Sequence, residues 1–162
     1  MIDDIDRKIM SLIQKDATMS NAEIARQLDM APSAIFERLR KLEVEGIIRG
    51  YETRLDPHVF GLGLVAFIFV RDEDRVGKGK VGLALAKIPQ VQEVHHIAGE
   101  DCYLVKVRAK NTDDLWRLIR DEFGVISSIS STRTTIVLET IKETAQFPLE
   151  AEDRGKPKVK RT

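Results

Sequence analysis

Arg38, Arg40 and Lys41 fall within four positions of one another, just downstream of Ser33, Ala34 and Glu37, in a stretch that opens with Pro32. On one outward helix face such a set could read a DNA duplex. Short polar or small side chains in the first turn reach base edges in the major groove, and cations along the body meet phosphate oxygens. Glu37 has two readings there, accepting from a cytosine amino group or repelling phosphate. Arg49 and Arg54 follow on a segment where backbone phosphates would be within reach. Periodicity alone serves equally well for the solvated face of a three-helix bundle, and single surface arginines on extended chain are common, so both readings stay open at this level. Other chemistry is poorly served. His95 and His96 are adjacent, and neighbours on a strand point to opposite faces, which argues against a shared metal. Cys102 is the single cysteine, so the chain can form no internal disulfide and offers no second thiolate to a metal. No nucleophile stands beside a recognisable base and no glycine-rich phosphate loop is present. Trp116 and Phe123 suit a core or an interface better than a stacking platform.

The elements that would position these residues follow from spacing. Ile5, Ile9, Leu12 and Ile13 form the apolar stripe of a helix over 3–14, opened by Asp3, Asp4 and Asp6. Ser20 stands three residues before Glu23, a capping-box spacing that starts a short second helix carrying Ile24, Ala25 and Leu28. Proline is tolerated only in a first helical turn, so Pro32 interrupts that pattern and starts a third helix running to about residue 45. Ile35, Leu39 and Leu42 share its inner face, Arg38 lies on the flank, and Gly46 stops it. Residues 47–55 read as extended, in the place of a wing. From residue 61 the pattern changes: strand (62–70), helix (76–87), strand (91–97), a Gly99-Glu100-Asp101 turn, strand (102–109), helix (113–123) and extended chain (126–141). That order is a split βαβ arrangement, a four-stranded antiparallel sheet with both helices on one face. The other face would then need cover, which self-association as a symmetric dimer supplies.

The whole is therefore an α+β chain: a helix-turn-helix head over residues 1–60, a ferredoxin-like βαββαβ domain over 61–145, and a charged tail over 146–162 that is too poor in apolar residues to fold and is read as disordered. Charge gives the nucleic-acid reading no support, because 26 basic residues balance 26 acidic ones and the first sixty residues hold nine basic against eleven acidic. Any DNA contact must be local and shared between the heads of a dimer. No apolar run reaches the roughly 18 residues of a membrane helix and no secretory start is visible, so a cytoplasmic protein without membrane contact is expected.

Several runs together resemble the Lrp/AsnC, or feast/famine, family of regulators. They are Ile5-Asp6-Arg7-Lys8-Ile9, Asn21-Ala22-Glu23-Ile24-Ala25, Arg38-Leu39-Arg40-Lys41-Leu42-Glu43, Gly46 through Tyr51 closing on Leu55-Asp56-Pro57, and Ile97 through Val107. The resemblance covers nearly all of the chain except the tail. It implies a transcription factor, not an enzyme, that binds double-stranded DNA, dimerises through the second domain, assembles in some relatives to octamers, and answers to an amino acid or related metabolite held between subunits, with no cofactor. It adds Ser20 and Asn21 to the DNA-binding set and puts the effector near Gly99, Glu100, Asp101, Cys102 and Tyr103, completed by Thr132 and Thr134. A Gly-Glu-Asp turn offers carboxylates to an amine and backbone N–H groups to a carboxylate. The sequence departs from the family at Ala31, where a capping serine is usual, at the acidic Glu37, and at Cys102, which is read as a small packing residue. The competing reading is an enzyme of the sirohaem decarboxylase kind on the same architecture, which would draw on His95 and His96.

Overall fold

The computed structural model describes residues 2–73, 79–99 and 101–149. It divides into two compact units, one made of the chain up to Arg54 together with residues 143–149, the other of Leu55–Lys142. Residues 55–60 thus cluster with the second unit.

The first unit holds three helices. Helix α1 (Asp4–Lys15) is capped by Asp3, whose carboxylate accepts from the Asp6 N–H at 2.8 Å while the Asp6 carboxylate accepts from the Asp3 N–H at 3.1 Å. An aspartate here plays the part that glutamate usually takes in a capping box. Helix α2 (Asn21–Leu28) has the expected box between Ser20 and Glu23. It ends at Asp29, which turns the chain with φ +52, a left-handed conformation that aspartate tolerates better than most residues. Helix α3 (Pro32–Val44) starts from Ala31, which is extended and offers no side-chain cap. Ile9, Ile24, Ala25 and Ile35 are fully enclosed between the three, with Ile5, Leu12, Ile13 and Leu39 packed around them. The strand expected over 47–55 is a correction. The Ile47 and Ile48 N–H groups both close back on Leu42 O, and no strand follows. An extended segment becomes a strand only through a partner ladder, and this unit contains none among the described residues. The closing segment lies along α1 instead. The Gln14 side-chain amide donates to Phe147 O and accepts from the Phe147 N–H, both at 3.2 Å, and Gln146 donates to Gln14 O. Gln146 and Phe147, expected in a disordered tail, are held in this way, and Leu149 O accepts from Arg7 Nη1 at 3.5 Å; residues 150–162 lie outside the described residues.

The second unit is the expected α+β layer. Strands β1 (Leu64–Asp72), β2 (Val91–His96), β3 (Tyr103–Ala109) and β4 (Ile129–Ile136) form one antiparallel sheet in the order β2-β3-β1-β4. Helices α4 (Lys80–Leu85) and α5 (Thr112–Leu118) connect them. Three bounds differ from the sequence reading. Gly79, at φ +59, delays α4 to Lys80, and residues 74–78 lie outside the described residues. Helix α5 relaxes into a π-helical turn over Ile119–Phe123 that still buries Phe123. Strand β4 stops at Ile136 because β1 supplies only one further acceptor, Val65 O to the Val137 N–H, after which Leu138 is almost wholly exposed.

Register assigns the two faces of the sheet. Ala66, Ile68 and Val70 stand opposite Val107, Val105 and Tyr103, and all six are buried in one cluster with Val81, Leu85, Leu115, Leu118 and Phe123 from the helices. Phe67, Phe69 and Leu104 point to the other face, remain half-buried, and have none of the described helices of this unit over them. None of the described helices is long and apolar enough to cross a membrane.

Candidate nucleic-acid interface and effector segment

On α3 the outward row forms as the spacing requires. Ser33, Glu37, Arg40 and Lys41 are exposed and Ala34 is half-buried. Arg40 and Glu37 approach to 3.9 Å and Lys41 and Glu45 to 4.0 Å, contacts at the limit of an ion pair between solvated groups, which leave the cations free to exchange partners. Asn21 is half-buried in the first turn of α2, and the Ser20 hydroxyl is engaged with Glu23. Bonds from the Ser20 N–H and hydroxyl hold the Glu23 carboxyl below its ordinary range. Arg49 is exposed, and Arg54 donates to Glu143 O at 2.7 Å.

Arg38 stands apart from this row. One guanidinium nitrogen, Nη1, lies 2.7 Å from Asp3 Oδ2 and 2.7 Å from Asp6 Oδ1. Among the described residues of the first unit Asp6 is the buried carboxylate, with a side chain 7% exposed. The Asp6 N–H first, and Arg38 after it, hold the Asp3 carboxyl below its ordinary value, and the two carboxylates raise Arg38 in turn. Sequence reasoning put Asp3 and Asp6 at the helix start for their charge and missed their partner across space. The available signal was three acids opening a helix that must pack beside an inward-flank arginine.

The effector residues divide between the two sheet faces. Gly99 takes φ +130, a conformation that favours glycine, and Glu100 lies outside the described residues. Asp101 accepts from Arg133 Nη2 at 3.0 Å, and that guanidinium lies 3.9 Å from the centre of the Phe69 ring, on the face without helices. Sequence reasoning did not single out Arg133. Thr132 and Thr134 stand opposite Val70 and Ile68, so they share the helix face with Tyr103 but remain exposed on the edge strand. Tyr103 is a core residue, its ring packed on Gly82 and 5.1 Å from the His96 ring. The Cys102 backbone links Val70 O to the Ile97 N–H, and its half-buried thiol faces Asp72 O at 3.8 Å, in keeping with a packing role. His95 faces Glu93 at 3.2 Å, away from His96, and no cluster of metal-binding side chains forms among the described residues. Trp116, expected in a core or interface, is 60% exposed in this unit.

Comparison with known proteins agrees with both halves. A family model described as winged helix-turn-helix DNA-binding matches residues 2–49, and one described as the Lrp/AsnC ligand binding domain matches residues 65–147. The HTH-type transcriptional regulator FL11 of Pyrococcus horikoshii is 37% identical over 149 residues, covering 91% of this chain and 97% of that protein. A transcriptional regulator of Neisseria meningitidis, solved as a complex with L-methionine, superposes with a TM-score of 0.85 at 27% identity, covering 92% of this chain and 97% of its own. A feast or famine regulatory protein of Mycobacterium tuberculosis, also solved with L-methionine, gives 0.84 at 28% identity, covering 91% and 99%. With a helix-turn-helix in its first unit and a split βαβ sheet in its second, the chain belongs to the Lrp/AsnC family of DNA-binding transcriptional regulators.

Proposed function

We propose that α3 enters the major groove of an operator and that an amino acid, bound between second units of a dimer, sets how the heads are presented. The observation that carries the DNA half is the uncovered row on α3. Ser33 and Ala34 meet base edges there, Arg40 and Lys41 meet phosphates, and Glu37 faces the groove between them. Ser20 and Asn21 at the start of α2, and Arg49 and Arg54 after α3, flank that row as backbone contacts. Dimerisation covers the sheet face of Phe67, Phe69 and Leu104, and further assembly to octamers uses surfaces beyond it. The effector half is supported by the two L-methionine complexes among similar structures and by the Gly99 to Tyr103 segment, with Thr132 and Thr134 completing the pocket. An amino acid shifts the assembly only if it binds one arrangement more tightly than the other.

A thermal-shift screen of the full chain against the standard amino acids, followed by anisotropy on a duplex selected from random DNA, tests both halves. A ligand of the native state raises the midpoint and alters duplex affinity. Replacing both Arg40 and Lys41 by alanine should abolish duplex binding with the dimer intact. No shift with any amino acid, or binding unchanged in the double variant, overturns the corresponding half.

A further inference from the structure

We infer that Arg38 acts in DNA recognition as a positioning residue, fixing the reading helix α3 to the first turn of α1 through Asp3 and Asp6, and makes no phosphate contact itself. The inference rests on the reading of α3 as the helix that enters the groove.

Its basis is geometric. The Arg38 side chain is 30% exposed, and its Nη1 sits 2.7 Å from an oxygen of each carboxylate. Reaching a phosphate with Nη1 would break both bonds and leave the buried Asp6 carboxylate with the Asp3 N–H as its partner and no cation beside it, a state that costs more than a surface contact returns. The guanidinium charge is also balanced where it stands, so it neutralises little phosphate charge and releases few of the duplex's condensed counterions. Arg40, 67% exposed and only loosely paired to Glu37, has no such commitment.

Helix α3 needs the anchor. Its own start is weak, since Ala31 gives no side-chain cap, and only Ile35 and Leu42 along its thirteen residues are buried. Apolar packing through Ile35, Leu42 and the half-buried Leu39 holds the helix against the core but is non-directional, so it resists rotation about the helix axis less than a directional bond does. A single guanidinium nitrogen donating to two carboxylates makes charge-assisted bonds that are directional. The anchor is also stiff at its far end, because Asp3 and Asp6 are locked to one another by the reciprocal cap of α1. Rotation of α3 would move Ser33, Ala34 and Glu37 away from base edges while Arg40 and Lys41 could still find phosphates. Loss of the anchor should therefore degrade discrimination between sequences more than general affinity.

The test compares Arg38→Ala, Asp6→Asn, Asp3→Asn and Arg40→Ala in the full-length protein. Each is titrated with the selected duplex and with a random-sequence duplex across a salt series, and its unfolding midpoint is measured. Arg38→Ala and Asp6→Asn should lower the selected-to-random affinity ratio by about tenfold or more, the range expected for losing one or more base readings. Their log-log salt slope on random duplex should stay at the wild-type value, whereas Arg40→Ala should lower it by about one. A slope lowered by about one in Arg38→Ala makes Arg38 a phosphate contact and overturns the inference. An unchanged ratio in folded Arg38→Ala or Asp6→Asn reduces the bridge to general stability and also overturns it. If those two variants do not fold, Asp3→Asn decides on the same criteria, since Asp3 is half exposed and its removal leaves the Asp6 bond in place. An unaltered slope and affinity in Arg40→Ala would instead overturn the groove reading of α3, and the inference with it.

Discussion

Ala31 occupies an N-cap with the extended backbone, φ −75 and ψ 139, that a capping serine would use, yet it has no side-chain atom to accept the first free N–H groups of α3. Ala31→Ser should therefore stabilise the chain by about 1 kcal/mol, read as a higher urea midpoint at unchanged slope. A neutral or negative change would mean that the α3 start is set by tertiary contacts alone. The missing cap was legible directly in the sequence, as was the Ser20 to Glu23 box, because both are local patterns three residues long. The partner of Arg38 was not. Helical periodicity states that a residue lies on a flank but not which side chain faces it across the core, and Asp3 and Asp6 are more than thirty positions away in the chain. The same limit separates Asp101 from Arg133, thirty-two positions apart, which only the fold brings together.

Where an element's bounds depend on its own residues, sequence and structure agree closely; where they depend on a neighbour, they part. Helix α3 was expected over 32–45 and runs Pro32–Val44, because proline and glycine punctuate it locally. The segment after it, rich in branched residues, was expected to be extended and finds no partner strand among the described residues, so Tyr51 is held instead by its hydroxyl, which donates to Glu43 Oε1 at 2.9 Å. Loss of surrounding water, then that bond and the Glu43 charge, push the Tyr51 phenol from 10.0 up to about 12. A folded value above the unfolded one means that the folded chain keeps a proton the unfolded chain has lost. The contribution is thus complete below about pH 10 and disappears as pH rises towards 12. Following the Tyr51 ring carbons by NMR should show its titration near 12 in wild type and lower in Glu43→Ala, while the loss of surrounding water still holds it above 10.0; equal values would mean that Glu43 is not its acceptor in solution. In the second unit Gly82 allows α4 to lie against Tyr103, since a Cβ there would stand 2.8 Å from the ring Cε1. Gly82→Ala, which elsewhere in a helix favours folding, should here destabilise by about 1–3 kcal/mol, measured by urea unfolding. A stabilised variant would show that the Tyr103 ring gives way freely. A glycine in a helical pattern was visible from the sequence; the ring that requires it was not.

At the scale of the whole molecule, the balance of charge and the layer count lead to the same requirement. The head carries nine basic and eleven acidic residues within its first sixty, and Arg38 is committed inside it. Only a few cations per head remain for phosphate, so one head alone should bind with shallow salt dependence and low affinity. The second unit, meanwhile, buries one sheet face under α4, α5 and the π-helical turn and leaves Phe67, Phe69 and Leu104 half-buried on the other, with Arg133 over Phe69. Apolar side chains aligned along neighbouring strands suit a second copy of the same face, and joining two heads in this way converts the second DNA contact into an intramolecular one, a gain of about 10²–10⁴ without any new base contact. Replacing Phe67 and Phe69 together by serine should separate these effects. The core of the unit lies on the opposite face, around Ile68, Val70, Val105 and Val107, so the fold should persist by circular dichroism. Sedimentation should show a monomer, and duplex affinity should fall by about a hundredfold with a correspondingly smaller salt slope. A folded variant that remains dimeric would move the interface away from this face. One that becomes monomeric yet keeps its duplex affinity would instead mean that a single, nearly neutral head supplies all the binding.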